Sequence, residues 1–319
     1  MNILITGVAG QDGFYLSQEC SKLGWQITGT KLWQENLTDD YPKVNFTVIN
    51  LDLSENEGVE SVLNSITDLD IVFHLAGKSS VTESWNSVLD YFRVNSLGSI
   101  NLMQEVLKRY PDCRIILAGS AEMFDATADL PWNSKTKKSP INPYGLSKLL
   151  MYEFANNLKK QGFWISTAFL FNHESPRRSS NFLSRKIVSA VGQIYMGNLG
   201  TLELDNLNSS RDWGFAPEYM QALIKLSDAS DPIDVAIGTG KLSSVRDFVE
   251  AAFLEVGISD WSKFIKINKK EPIPTLKYFC DTDEAQAKIQ WKATTLMPDL
   301  AQLLVRIEVE ELLRIRDSL

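Results

Sequence analysis

Three glycines set close behind the first apolar run constrain this chain more than any other feature. Asn2 to Thr6 reads as a buried strand, Gly7, Gly10 and Gly13 interrupt it, and a helical pattern runs from about Phe14 to Leu23. A strand, a tight glycine turn and a helix in that order form the opening unit of a parallel α/β sheet. The turn Gly7-Val8-Ala9-Gly10-Gln11-Asp12-Gly13 has the spacing G-x-x-G-x-x-G. A backbone without Cβ atoms lets a pyrophosphate come close, and the N-terminus of the following helix favours negative charge. Turns need glycine for other reasons too, but a glycine triplet directly after an N-terminal strand favours dinucleotide binding.

The pattern then repeats. Strands are predicted at Gln26 to Thr30, Val44 to Leu53, Ile71 to Ala76, Arg114 to Gly119 and Trp164 to Leu170. Helices are predicted at Asn56 to Ile66, Leu89 to Lys108 and Pro143 to Lys160, the last with proline in its first turn. Short apolar strands separated by amphipathic helices imply a doubly wound, Rossmann-type parallel sheet. Past Phe171 the pattern loosens, with helices expected at 181–195, 216–226 and 245–254, a strand at 234–237, and a final helix from near Pro298. The boundary expected between Leu170 and Asn172 separates a dinucleotide-binding domain, 1–170, from a smaller substrate-binding region, 171–319. Segments near 211–240 are expected to return to the first domain.

Bulk properties narrow the partners. The 319 residues are enough for one large α/β unit or two domains. With 32 basic and 40 acidic residues the net charge is −8, which disfavours a broad nucleic-acid surface. Cys20, Cys113 and Cys280 lie far apart and fit a reducing compartment better than a disulfide framework. Two histidines, His74 and His173, make a multi-histidine metal site a poor reading. No leader and no apolar run of spanning length is visible, so a cytoplasmic enzyme away from membranes is expected.

Several segments carry chemistry. Gly29-Thr30-Lys31 closes the second strand without the acidic residue that would meet a free adenosine ribose, and Lys31 suits a 2′-phosphate, so NADP is favoured over NAD. Asp52-Leu53 meets the adenine, or Asp52 simply caps the next helix. Leu75-Ala76-Gly77-Lys78-Ser79 closes the fourth strand with small residues, as passage of a cofactor requires, although a tight turn has the same composition. Tyr144 and Lys148 stand one helical turn apart, on one face. A lysine ammonium beside the phenol is expected to lower its pKa toward neutral and fit it for proton transfer with a sugar hydroxyl. Ser120 and Glu122 lie one strand-end upstream, where a hydroxyl polarises a developing ketone and a carboxylate serves as base and acid in turn.

Together these residues resemble the extended short-chain dehydrogenase/reductases, and within them the GDP-mannose 4,6-dehydratases. The matching runs are Thr6 to Gly13, Phe171-Asn172-His173-Glu174-Ser175-Pro176-Arg177-Arg178, Arg185-Lys186-Ile187, Arg211-Asp212-Trp213-Gly214 and Ser244 to Glu250. What the resemblance implies is an internal hydride loop on a nucleotide-sugar, with a GDP-sugar favoured. Tyr144 takes the 4-hydroxyl proton, Glu122 removes the C5 hydrogen, water leaves from C6 with Ser120 or protonated Glu122 assisting, and a 4-keto-6-deoxy sugar results. Lys148 also holds the nicotinamide ribose. By the same likeness His173 and Arg178 are cofactor contacts, and Asn172, Lys186 and Arg211 are substrate contacts, with an internal Arg211–Asp212 ion pair and a surface Lys186 as the plainer readings.

The chain also departs from that family. Met123-Phe124-Asp125 replaces the usual aliphatic-Tyr-Gly and is expected to alter the cleft wall. Glu271-Pro272 stands where relatives place Arg-Pro, unless Lys269 or Lys270 takes over. Phe215 replaces a histidine. The loop Leu32 to Pro42 is short and lacks paired arginines, so of the expected homo-oligomers, dimer or tetramer, the dimer is favoured. An NADPH-dependent nucleotide-sugar reductase or a 4-epimerase is the alternative on the same scaffold, and the chain length and Lys78-Ser79-Ser80-Val81 lean toward the reductases. A non-catalytic NADP sensor is the third.

Overall fold

A computed structural model describes residues 1–268 and 277–318. In chain order the first half comprises β1 (Asn2–Thr6), α1 (Gln11–Lys22), β2 (Gln26–Lys31), β3 (Phe46–Asn50), α2 (Asn56–Asn64), β4 (Ile71–His74), α3 (Val81–Ser84) and α4 (Val88–Tyr91). It continues with α5 (Ser99–Arg109), β5 (Arg114–Ser120), α6 (Pro143–Lys160) and β6 (Ile165–Leu170). The second half comprises β7 (Asn172–Glu174), α7 (Leu183–Tyr195), β8 (Leu202–Leu204), β9 (Ser210–Phe215), α8 (Ala216–Ser227) and β10 (Val235–Ile237). It ends with β11 (Leu242–Ser244), α9 (Val245–Glu255), β12 (Ile265–Ile267), α10 (Thr282–Ile289) and α11 (Asp299–Asp317).

Seven strands form one parallel sheet in the order β10-β6-β5-β4-β1-β2-β3. The order reverses between β1 and β4, which opens a crevice at the strand ends. One face buries Ile3, Ile5, Phe73 and Ile116 against apolar residues of α1 and α8. The other buries Leu4, Val72, Ile115 and Leu117 against α2, α5 and α6. A separate apolar cluster joins α7, α9 and α11 through Ile187, Val191, Phe248, Phe253, Leu300 and Leu304. Two small sheets complete the fold: β11-β9-β7, with β9 and β7 parallel, and the pair β12-β8.

Beyond shifted bounds such as β3, which is shorter than the predicted 44–53, three differences bear on the site. Helix α1 begins at Gln11, not Phe14, so Gln11 and Asp12 project from its first turn over the glycines. The helix expected over 89–108 is broken: α4 runs into a wide π-type turn at Phe92–Gly98 before α5 begins. A Cβ on Gly98 would stand 2.3 Å from the Leu53 carbonyl oxygen, so the wide turn is seated directly on the segment that follows β3. The fourth strand stops at His74, because the Leu75 and Ala76 amides turn to the Thr6 hydroxyl, both at 3.1 Å.

Asp212 on β9 ties the far segments together. Its carboxylate accepts the Thr239 amide at 2.8 Å, the Gly240 amide at 2.9 Å and the Cys280 amide at 3.0 Å. It also accepts the Thr239 hydroxyl at 2.5 Å. Burial raises its pKa and these donors lower it. Replacing Asp212 with alanine strands four buried donors, and a loss of about 3 kcal/mol of unfolding free energy is expected in denaturant titration. A loss under about 0.5 kcal/mol would show that water satisfies the site as well.

Candidate active site

A cavity of about 1070 Å³ opens where the sheet order reverses. Its lining runs from Gly7, Gly10, Gln11, Asp12 and Gly13, past Leu75, Gly77, Lys78 and Ser79, to Ser120, Glu122, Tyr144 and Lys148. It continues through Asn172, His173 and Arg178 to Lys186 and Arg211. Residues from both halves of the sequence therefore face one space.

The glycine turn is built by backbone contact. Gly7 has φ +73°, and a Cβ there would meet the Ala76 Cα at 2.8 Å. A Cβ on Gly13 would stand 2.4 Å from the Gly7 carbonyl oxygen. The cradle is thus one that any side chain would fill, at the N-terminus of an α-helix, and it fits the pyrophosphate of a dinucleotide. His74 locks the neighbouring strand end. Its Nε2 donates to Ser99 Oγ at 2.7 Å, and its Nδ1 accepts from Thr6 Oγ1 at 2.8 Å. Burial pushes its pKa down to about 3, so the ring is neutral.

The catalytic candidates cluster on β5, the turn after it, and α6. Tyr144 and Ser120 face the same cavity, close enough for the Ser120 hydroxyl to lower the Tyr144 pKa. The Glu122 Oε2 accepts from Asn142 Nδ2 at 2.8 Å, and its Oε1 accepts from Tyr278 Oη at 3.0 Å. Asn142 caps α6 by accepting the Gly145 amide at 2.8 Å, so one residue fixes both the helix start and the carboxylate. Neither Asn142 nor Tyr278 is recognisable from sequence. Asn142 reads as an ordinary cap, and Tyr278 stands 156 positions from its partner. Asn95 is a further missed residue: it brackets Lys78 through its amide and carbonyl, at 2.8 and 2.9 Å, and meets Ser147 Oγ at 3.0 Å.

One expectation is corrected here. The phenol is not acidic in the resting site. Burial pushes Tyr144 up to about 12, the Ser120 hydrogen bond works against that, and the Glu122 charge adds to it. Lys148 Nζ donates to the Ala118 carbonyl at 3.0 Å, and burial lowers its own pKa to about 8. Desolvation outweighs the Ser120 hydroxyl at Tyr144 and the Asp12 charge at Lys148. A second correction concerns Met123-Phe124-Asp125. Met123 and Phe124 are buried beneath the cleft, Phe124 among Trp132, Phe169 and Phe171. Asp125 pairs with Lys137 at 2.9 Å. None of the three belongs to the cavity wall.

Other predicted contacts lie outside the cavity lining. Val8 is buried against Gly29, Ala9 sits in the glycine turn, and Ala76 follows β4 and packs against Gly7. Lys31 Nζ donates to the carbonyls of Leu32 and Glu35, at 3.1 and 2.7 Å. Asp52 accepts the Ser54 amide and hydroxyl, at 2.8 and 2.7 Å, as a local turn. Leu53 is core. Phe215 packs against the cluster of α7, α9 and α11. Lys269, Lys270, Glu271 and Pro272 lie outside the described residues.

At the far wall His173 bridges the halves. Its Nε2 donates to Asp12 at 3.0 Å, and its Nδ1 donates to the Phe171 carbonyl at 2.7 Å. Two acceptors favour the imidazolium, whose pKa is raised by Asp12 against the pull of burial. Burial raises the Asp12 pKa, but His173 and the Gln11 donor outweigh it and bring it down to about 2. Gln11 donates to the His173 carbonyl at 3.1 Å and accepts from Ser175 Oγ at 2.7 Å. Arg178 lies over Phe182 at 3.6 Å and pairs with Glu174 at 3.1 Å.

A doubly wound parallel sheet, a glycine turn at its switch point and a Ser/Tyr/Lys set with an adjoining carboxylate define an extended short-chain dehydrogenase/reductase. Solved structures agree on the fold. UDP-glucose 4-epimerase from Thermotoga maritima superposes with TM-score 0.86 over 98% of this chain and 100% of that one, at 19% identity. The dTDP-glucose 4,6-dehydratase from Bacillus anthracis, in complex with NAD, gives 0.84 over 98% and 97%, at 18% identity. The family described as GDP-mannose 4,6 dehydratase matches residues 4–304, and the chain belongs to it. GDP-mannose 4,6-dehydratase sdnI from Sordaria araneosa is 37% identical over 81% of this chain. The match spans 48% of that protein, so this chain corresponds to about half of its length. GDP-mannose 4,6 dehydratase 1 from Arabidopsis thaliana is 31% identical over 96% of this chain and 89% of its own.

The Asp12–His173 pair has a definite pH signature. The lowered Asp12 pKa stabilises the fold above the ordinary carboxyl range and is lost as pH falls toward about 2. The raised His173 pKa stabilises it below about 6.5 and is lost as pH rises through the higher folded value. The gap in unfolding free energy between the protein and Asp12→Asn should therefore be widest near pH 5.5 and narrower near about pH 2.5 and 9. Denaturant titrations at the three pH values check this, and an equal gap throughout would rule it out.

Proposed function

We propose that the chain is a GDP-sugar 4,6-dehydratase that uses NADP, removes water across C5 and C6 of a hexose and leaves a 4-keto-6-deoxy sugar. The observation that carries the reading is Glu122. A reductase or epimerase needs a proton relay at the oxidised carbon only, whereas elimination needs a separate base for C5. Glu122 supplies a carboxylate in the same cavity as Ser120 and Tyr144, with both oxygens held.

NADP, when bound, supplies the acceptor for the C4 hydride and later returns that hydride to C6. The residues of the chain handle protons and charge. Tyr144 exchanges the proton of the 4-hydroxyl and Ser120 Oγ holds the oxygen that becomes the ketone. A phenol near 12 is not a resting phenolate, so the transfer relies on nearby positive charge. Lys148, near 8, is mainly cationic at neutral pH. The C4 ketone acidifies the C5 hydrogen. Glu122 takes that proton, the freed electron pair forms the C5=C6 bond, the C6–O bond breaks, and the carboxyl proton leaves with the hydroxide as water; once C6 regains hydride, the resulting enolate takes a solvent proton at C5 and the C4 ketone reforms. Asn172, Lys186 and Arg211, along the far wall, suit the sugar and diphosphate. Choice of NADP rests on the lack of an acidic residue at the end of β2, where Lys31 stands instead and would have to leave the Leu32 and Glu35 carbonyls to meet a 2′-phosphate.

A homodimer formed through α4, the π-type turn that follows it and α6 accompanies this reading. Leu89 and Leu97 on the 81–109 stretch, and Leu146 and Leu150 on α6, are exposed on packed neighbours. Such apolar stripes suit a symmetric helical interface. The loop Leu32 to Pro42 folds onto its own chain, Tyr41 donating to the Val8 carbonyl at 2.8 Å. Three free, buried cysteines support a cytoplasmic setting, and among the described residues no helix is long and apolar enough to cross a membrane.

The test offers purified protein GDP-, CDP-, UDP- and dTDP-hexoses with NADP or NAD, following product mass and the NADPH absorbance band. Loss of one water from the GDP-sugar without net NADPH change is expected. Glu122→Gln should cut elimination by about a hundredfold or more while C4 oxidation persists. Stoichiometric NADPH consumption would instead establish a reductase, and no product from any sugar would leave a binding protein. For the assembly, Leu89→Asp with Leu146→Asp should convert a dimer to a monomer in sedimentation, and an unchanged mass would place the interface elsewhere.

A further inference from the structure

We infer that Tyr278 is a positioning residue for Glu122 that acts on water elimination and not on oxidation at C4. The inference rests on the dehydratase reading above. Tyr278 is buried, and its hydroxyl stands 3.0 Å from Glu122 Oε1 and 3.2 Å from Asn172 Oδ1. A phenol has one proton to give, and a carboxylate is the stronger acceptor. With Asn142 on Oε2, both carboxylate oxygens are tethered, one to the start of α6 and one to the segment that precedes α10.

The hydroxyl has little freedom of its own. Its ring stacks on Trp132 with centroids 5.0 Å apart and planes at 9°, and Arg211 lies 5.2 Å from its centroid. The backbone around it is pinned on both sides of Cys280. Trp132 donates its amide to the Phe279 carbonyl at 3.0 Å, Asp281 donates to the Trp132 carbonyl at 2.8 Å, and Cys280 donates to Asp212 at 3.0 Å. A side chain so held can impose an orientation on its partner. Glu122 must accept a proton from one carbon and deliver it to an oxygen on the next, so a carboxylate that rotates between the two events loses rate. The Tyr278 hydroxyl bonds to Glu122 and Asn172 and not to Ser120 or Tyr144, which handle the 4-hydroxyl, and this is why the effect is confined to elimination.

Tyr278→Phe keeps the stacked ring and removes only the hydroxyl. The expected result is a fall in kcat of about tenfold with KM and GDP affinity within about twofold, a shift that corresponds to one lost charge-assisted hydrogen bond. On rapid mixing with the GDP-hexose, C4 oxidation should keep its rate while the NADPH band, transient in the parent, builds up because the next step has slowed. Added to Glu122→Gln, the change should cost no more than about twofold further, since its target is gone. An unfolding midpoint near that of the parent separates this from a packing defect. Should the fold suffer, Trp132→Phe, which disturbs the stack and leaves the hydroxyl, is the second variant and should give a milder version of the same elimination defect. Equal slowing of oxidation and elimination, a change in KM alone, or an unchanged kcat in a parent that does eliminate water would each overturn the inference and spare the dehydratase reading. A parent that removes no water from any sugar overturns both.

Discussion

The clasp between the first turn of α1 and β7 underlies the whole cleft. Gln11 and Asp12 stand on a helix fixed by the glycine turn, and His173 and Ser175 stand on the chain just past the last inner strand of the parallel sheet. A charged pair in a partly shielded site, with further hydrogen bonds on each partner, holds position better than an exposed pair does. It brings the far wall of the cavity, with Asn172 and Arg178 close in sequence to His173, opposite the turn where a pyrophosphate fits. These two strand-end segments are fastened to each other, and both line the cavity.

Desolvation governs the protonation states inside that cavity. His74 is neutral, Tyr144 keeps its proton and Lys148 is less basic than a surface lysine, all because burial disfavours the charged form of each. Asp12 and His173 are the contrast: their mutual attraction exceeds the same penalty. The site is thus divided into a charged clasp near the glycine turn and a set around Ser120 and Tyr144 in which the phenol keeps its proton beside the Glu122 carboxylate. Such a division suits chemistry in which charge appears on the substrate oxygen during reaction and is met by donors already in place.

Much of the first half was legible in the sequence. Helix α6 keeps its predicted bounds because Asn142, Pro143 and an uninterrupted pattern mark it locally. The buried strands β1, β2, β5 and β6 begin and end within a residue of expectation because short apolar runs between turns have few other homes. The π-type turn at Phe92–Gly98 was not legible, since its cause is the close seat of Gly98 on Leu53, a contact between distant segments. The strands β7, β8, β9, β11 and β12 were missed for a related reason: each has six residues or fewer and is defined by pairing with remote partners.

For the candidate site the same division holds. Residue type and local spacing alone determined the glycine turn, the Tyr144/Lys148 register on one helix face and the nearness of Ser120 to Glu122, because each depends on bonds within a few residues. Tertiary structure alone decided what surrounds them. Whether Lys148 acidifies Tyr144 or donates to Ala118, whether Phe124 lines the cleft or lies beneath it, and that Tyr278 reaches Glu122 are outcomes of packing. Burial and long-range hydrogen bonds set the energies of these groups, and both arise only once segments far apart in the chain have met.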